Sequence, residues 1–303
     1  MKTKNLLLVG AATSVLATLT LTPQAMAGRM EETRAAALQP NGFERPTAGN
    51  PYTISDWAAD GWPHADGGAS EGWNTRTRVD SSTPAHSGSK SLRVFYPKGQ
   101  IDPQNSGALA PFSIPKAREY YLSFWVKFSS DFSWGTTLFA GKVGIGLAGG
   151  KACSGGQPCT GTNGFTSRPI WSKSDGKAAV YYYSMEHEGE YGDDIVLQKD
   201  GADIRWPKGK WVNVVQRLKV NTVTGGQANA DGEIEIFYNG ESAAKKTGLS
   251  FVSNGDQIDK AYFSSFAGGG TAEFAPANDG YVWYDDIKVS TNRADICELS
   301  TCR

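Results

Sequence analysis

From Pro46 onward this chain is written as short segments in which apolar and polar residues alternate, each cut off by Gly, Asn, Asp or Pro. Alternation with a period of two gives an extended strand one apolar face, and that face needs a second layer to cover it. Tyr120–Phe128 is the clearest case: Leu122, Phe124, Val126 and Phe128 fall on one side, and Tyr121, Ser123, Trp125 and Lys127 on the other. Trp211–Val220 repeats it, with Val212, Val214, Leu218 and Val220 opposed to Asn213, Arg217 and Lys219. Ser91–Tyr96, Ile258–Phe266 and Tyr281–Val289 supply further strands, and Glu233–Tyr238 runs into Asn239-Gly240, a strong hairpin signal. Helical periodicity is nearly absent beyond the N-terminal segment. The expected fold is all-β, a single-domain jelly-roll β-sandwich over residues 46–290, with helix confined to short turns.

The ends of the chain read differently. Lys2 and Lys4 precede an uncharged apolar run from Leu6 to about Leu21, and Ala25-Met26-Ala27 fits the small-x-small cleavage rule. Residues 1–27 are therefore read as a secretory signal peptide, 28–45 as a linker and 291–303 as a C-terminal tail. A secreted or periplasmic location follows, and in an oxidising compartment the four cysteines pair by position as Cys153–Cys159 and Cys297–Cys302. Their spacing is wrong for zinc, and none of the three histidines lies beside a cysteine. A net charge of −1 provides no overall basic field for nucleic acid or an anionic membrane, so neither is an expected partner. The chain is expected to act as a monomer. An acidic ligand would have to be met by a local cluster of cations.

One such cluster is present. Phe139-Ala-Gly-Lys142-Val-Gly-Ile-Gly-Leu-Ala-Gly-Gly150 sets a lysine in a glycine-rich stretch, Arg168 follows in Phe165-Thr-Ser-Arg168, and Tyr181-Tyr182-Tyr183 lies beyond. Lysine and arginine are suited to a carboxylate, and a phenol can move a proton at a sugar carbon or oxygen. Two other features have a plainer reading beside a functional one. Trp57, Trp62 and Trp73, among nine tryptophans, are either sugar-stacking platforms or core. Asp285-Asp286 either contributes to a calcium site or caps a turn, and two carboxylates are fewer than a calcium shell requires. No metal and no cofactor is expected in catalysis.

At Gly141–Gly150, at Cys153-Ser-Gly-Gly156 and at Gly164-Phe-Thr-Ser-Arg168-x-x-Trp171 the chain resembles the polysaccharide lyases of family 14, and it also looks like the glucuronan lyases of family 20. The resemblance runs from about Ser87-Gly-Ser-Lys-Ser-Leu-Arg93 to Val289. It implies a β-jelly roll that cleaves a polyuronate by β-elimination, alginate first and glucuronan next. Carried over by motif, it makes Lys142, Arg168, Tyr181 and Tyr183 catalytic, with Thr166 contacting substrate; its neighbour Ser167, which would face the opposite side of the strand, and His187, a reserve base or sugar ligand, are further candidate substrate contacts. Thr166 stands where the family commonly has serine, and Lys142-Val143-Gly144 replaces its lysine-leucine-proline-glycine wording. Three consecutive tyrosines leave the register of the Tyr-x-Tyr pair open by one residue.

Two alternatives share the strand pattern. A non-catalytic jelly-roll carbohydrate-binding module would need aromatic platforms without a proton-transfer set. A glycoside hydrolase would need two facing carboxylates, for which Glu233 with Glu235, and Glu186 with Glu188, are the available pairs.

Overall fold

The computed structural model describes residues 37–135, 141–187 and 189–297. These lie in the compact unit that begins at Ala36. The expected signal peptide lies outside the described residues, as do Phe139, Ala140, Glu188 and Cys302.

In chain order the first strands are β1 (Thr77–Asp80), β2 (Ser91–Tyr96), β3 (Ala108–Ala117), β4 (Glu119–Phe128), β5 (Gly141–Lys142) and β6 (Ile145–Gly149). Next come β7 (Phe165–Trp171), β8 (Ala178–Tyr183), β9 (Asp193–Val196) and a small hairpin, β10 (Gln198–Lys199) with β11 (Ala202–Asp203). The chain continues with β12 (Val212–Lys219), a second small hairpin of β13 (Val223–Thr224) and β14 (Gln227–Ala228), then β15 (Gly232–Tyr238), β16 (Glu241–Leu249), β17 (Ile258–Ala267) and β18 (Gly280–Ser290). Described helix is limited to short pieces, Ile54–Ala59, Asp102–Asn105 and Arg293–Ile296, and a 3-10 turn at Ala272–Phe274.

Two seven-stranded antiparallel sheets result. The first runs β1-β2-β18-β4-β12-β15-β16; the second runs β3-β17-β5-β7-β8-β9, with β6 also lying between β17 and β7. Neighbours distant in sequence, such as β18 beside β4, show the chain passing back and forth between the layers, as a jelly roll requires. The alternation seen in the sequence decides which side chains meet. Leu122, Phe124, Val126 and Phe128 are sealed from solvent, as are Val214, Leu218 and Val220, and they pack against Ile145, Leu147, Val180 and Phe263 of the second sheet. Each such side chain stabilises the fold by about 1.5–3 kcal/mol through burial, so truncating Phe124 to alanine is expected to cost about 3–5 kcal/mol. Asn239-Gly240 forms the expected two-residue turn between β15 and β16.

The residues read as a linker belong in part to the domain. Asn41 pairs with Ile287 through two backbone hydrogen bonds of 2.9 Å, and Phe43 is buried against Tyr52 and Trp57. The sequence missed this because Asn41-Gly42-Phe43 is a lone apolar residue among polar ones, with no period to detect. Trp57, Trp62 and Trp73 are core: Trp57 packs on Phe112, tilted, at 4.4 Å between ring centres, with Trp62 and Trp73 set edge-on to Trp57. Asp285 accepts from the backbone N–H groups of His86 (3.0 Å), Ser87 (3.1 Å) and Asp286 (2.8 Å), which ties the loop before β2 to the last strand. Asp286 holds the same loop through Ser87 Oγ and His86 Nδ1. Cys153 and Cys159 are disulfide-bonded. The Cys297–Cys302 pairing reaches outside the described residues.

Candidate active site

The open face of the second sheet gathers the cations. Strand pairing puts Lys142 beside Phe266 of β17, Tyr262 of β17 beside Gly146, and Arg168 of β7 beside Tyr181 of β8. Between Lys142 and Arg168 the ladder is irregular. Lys142 pairs with Ile170 and Leu147 pairs with Ser167, so four residues, 143–146, stand opposite two, 168–169. Such bulges re-aim side chains next to active sites. Gly144 within it has φ +73°, a left-handed conformation that costs glycine little. The glycine-rich wording around Lys142 thus has a local cause.

Arg168 is only 5% exposed, yet it makes no ion pair among the described residues and its Nε has no hydrogen-bond partner. Instead its guanidinium lies over the rings of Tyr181 (5.7 Å) and Tyr262 (5.8 Å). Lys142 Nζ lies over Tyr181 (5.2 Å) and Phe266 (5.8 Å) and donates to the Gly268 carbonyl at 3.2 Å. Crowding by protein atoms, with the positive charge of Arg168 nearby, lowers the Lys142 pKa to about 7, although part of the side chain still meets solvent. Two cations without a counter-carboxylate among the described residues make a site for an anion, because buried charge left unpaired is costly until a ligand arrives.

The phenols stand beside it. Tyr181 and Tyr183 point to the same side of the sheet, Tyr181 half-buried and Tyr183 fully buried beside Cys153 and Cys159, and their hydroxyls are hydrogen-bonded to each other at 2.9 Å. Gly192 N–H donates to Tyr181 Oη at 3.0 Å and Gly156 N–H to Tyr183 Oη at 3.0 Å. Burial, reinforced by the hydrogen bond with Tyr183, raises the Tyr181 pKa and favours its neutral form. Tyr182 points the other way, into the core, so Tyr181 and Tyr183 are the two that share a side of the strand. His187 sets its ring edge-on to Tyr183 at 5.4 Å and bonds to the Gly189 carbonyl.

Thr166 and Ser167 are differently placed from what the motif implied. Thr166 shares the open face with Arg168, but it is fully buried and its hydroxyl donates to the Cys153 carbonyl at 3.1 Å. Ser167, expected to contact substrate, faces the interior and accepts from Gln216 Nε2 between the sheets. Its neighbour Arg168 faces outward, so strand alternation forbids both from lining the same cleft. Tyr262 and Phe266 were not singled out in the sequence; the strand carrying them was legible, but its pairing opposite Lys142 and Gly146 was not.

Other candidate sites are occupied by structural work. Glu233 is held down to about 2 by its bonds to Arg217 and Lys219, and Glu235 lies 3.6 Å from Arg217, on the far face of the first sheet. Among the described residues no three His, Cys, Asp or Glu side chains gather to hold a metal ion. A cavity of about 450 Å³ lies between His86, Trp125, Asn213 and Ile296, and none of the residues named for catalysis lines it.

Residues 84–287 match the family model described as polysaccharide lyase 14. No curated protein matches the chain. A mutant of alginate lyase Aly36B in complex with alginate trisaccharide is 25% identical, with a TM-score of 0.69 over 85% of this chain and 99% of that one. The marine PL-14 alginate lyase from Aplysia kurodai is 22% identical, with a TM-score of 0.64 over 85% and 99%. Alginate lyase vAL-1 from Chlorella virus is 16% identical, with a TM-score of 0.58 over 80% and 99%.

Proposed function

Since the chain belongs to the polysaccharide lyase 14 family, we propose that it cleaves alginate by β-elimination, with Lys142, Arg168, Tyr181 and Tyr183 as its catalytic residues. The observation that carries this reading is the buried Arg168 guanidinium, without a carboxylate partner among the described residues, one strand away from a hydrogen-bonded pair of phenols.

The C5 proton of a uronate is weakly acidic until its carboxylate is neutralised. Arg168 presents donors to that carboxylate and Lys142 adds positive charge, so negative charge developing toward an enediolate is stabilised as in an oxyanion hole. The two phenols share a hydrogen bond, and the Gly156 and Gly192 N–H groups donate to their oxygens, where they stabilise negative charge that develops there. One phenol oxygen takes the C5 proton while its own proton crosses the shared hydrogen bond to the other phenol, which gives its proton to O4. The electron pair left on C5 forms the C4=C5 double bond as the C4–O4 bond breaks.

Residues 1–27 act as a signal peptide in this reading, placing the enzyme outside the cytoplasm, where its substrate and its disulfide are both expected. The decisive experiment is incubation with alginate, glucuronan and other polyuronates, followed by ultraviolet absorbance of the unsaturated uronate. Tight binding without that product would leave a carbohydrate-binding module, and product from glucuronan alone would reassign the substrate.

A further inference from the structure

Arg168 is positioned without being neutralised, and the residue that does this is far away in sequence. Across the second sheet Tyr262 pairs with Gly146 and Arg168 pairs with Tyr181, and Gly146 lies directly against Arg168. Gly146 is the empty place beside Arg168. A Cβ there would stand 2.9 Å from Arg168 Cα, 3.1 Å from Arg168 Cγ and 2.2 Å from the Ser167 carbonyl oxygen. With no side chain in the way, the Arg168 side chain crosses the β6 strand and brings its guanidinium over the Tyr262 ring, while Tyr181 stands on its other side.

We infer that Tyr262 is a positioning residue of the lyase site, holding Arg168 at the uronate carboxylate through its aromatic face alone. This rests on the lyase reading above. A carboxylate would fix an arginine more strongly, but it would occupy the guanidinium N–H groups and cancel the charge that substrate needs. Aromatic faces attract the cation through their quadrupole and leave its in-plane donors free. The unpartnered Arg168 Nε and the lack of any ion pair to Arg168 among the described residues fit a group held in this way. Tyr181 does two jobs, ring to Arg168 and hydroxyl to Tyr183, whereas no hydrogen bond from the Tyr262 hydroxyl is needed for its role.

The test compares Tyr262→Leu with Tyr262→Phe in the full chain, with alginate as substrate. Leucine removes the aromatic face, and the expected result is a fall in kcat of about a hundredfold, the size expected when a reacting group is misplaced by about 1 Å. KM should change far less. Phenylalanine keeps the face and should stay within about threefold of wild type. A merely structural role would leave the Lys142 titration alone, so it is followed by NMR in both variants. Release of Arg168 should move it in Tyr262→Leu and leave it in place in Tyr262→Phe. Near-normal kcat in the folded leucine variant overturns the inference, as does an unmoved Lys142 titration. Phenylalanine as damaging as leucine also overturns it, by making the hydroxyl a substrate ligand. Were the wild type to give no unsaturated product, the lyase reading would fail separately. Calorimetric affinity for an alginate oligosaccharide would then decide the clamp, which requires leucine to weaken binding and phenylalanine to preserve it.

Discussion

The hydroxyl of Tyr183 accepts a 3.0 Å hydrogen bond from the backbone N–H of Gly156, which lies inside the loop closed by Cys153 and Cys159. The loop is tied to the site a second time, where the Cys153 carbonyl accepts from Thr166, the residue paired with Tyr183 in the sheet. The two cysteines and Tyr183 form one small buried cluster. A disulfide spanning six positions in sequence removes little chain entropy, so its main consequence is placement of an N–H at a phenol oxygen.

Opening that loop should therefore affect rate more than folding. Replacing Cys153 and Cys159 together by serine is expected to lower kcat about tenfold or more, the loss of one hydrogen bond to a charged oxygen. Circular dichroism should show the sandwich intact. Unchanged turnover in the double variant would mean that Gly156 does not support the reacting tyrosine.

Arg168 is the stronger test of the mechanism. Arg168→Ala should lower kcat by about a hundredfold to a thousandfold, as for loss of one preorganised donor at a developing charge. Arg168→Lys restores charge without the planar fork, and because stacking and bidentate geometry are both lost it should recover only a small part of the rate. Full recovery with lysine would show that charge alone suffices.

The fold was legible because its signal is local. The face of β4 containing Leu122 and Phe124 could be read residue by residue, and so could the Asn239-Gly240 turn. The site was legible as a set of residue types, since Lys142, Arg168, Tyr181 and Tyr183 do converge on one face. What escaped was everything that depends on pairing between distant strands or on main-chain groups. Tyr262 meets Arg168 only across Gly146, and the donors to the two phenols are backbone N–H groups that no side-chain motif encodes. Ser167 shows the converse: its place in a motif put it near substrate, while its place in a strand turned it inward to Gln216.

The Lys142 pKa, lowered to about 7 by burial and then by Arg168, makes the site sensitive to mild alkalinity. Below pH 7 the ammonium is present; as pH rises through 7 it is lost, and with it one of the two charges facing the uronate. Affinity for an alginate oligosaccharide should weaken above this value, and Arg168→Gln should move the Lys142 titration upward by removing a like charge. Stability has the opposite sign. From about 7 up to the ordinary lysine value of 10.5 the unfolded chain binds more protons than the folded one, so this lysine's contribution to stability improves with rising pH across that window. Lys142→Met should flatten both dependences, measured by calorimetry for binding and by thermal unfolding for stability.

The three tyrosines of β8 give a test in which neighbouring positions serve as mutual controls. Tyr181 and Tyr183 place their hydroxyls 2.9 Å apart on the Arg168 side of the sheet, each accepting a backbone N–H, whereas Tyr182 packs on the opposite side, between the sheets. Removing one phenolic oxygen leaves the ring and its packing in place, so each phenylalanine variant should fold. Tyr181→Phe breaks the shared hydrogen bond and leaves the Gly192 N–H without its acceptor; Tyr183→Phe does the same to Gly156. In either case the proton has no second oxygen to pass through, and kcat should fall by about a hundredfold or more, the scale of acid–base assistance. Tyr182→Phe should keep near-normal turnover and change only the melting temperature. Measured by the absorbance of unsaturated product, a severe loss at 182 with normal rates at 181 and 183 would shift the catalytic register by one residue and overturn the site.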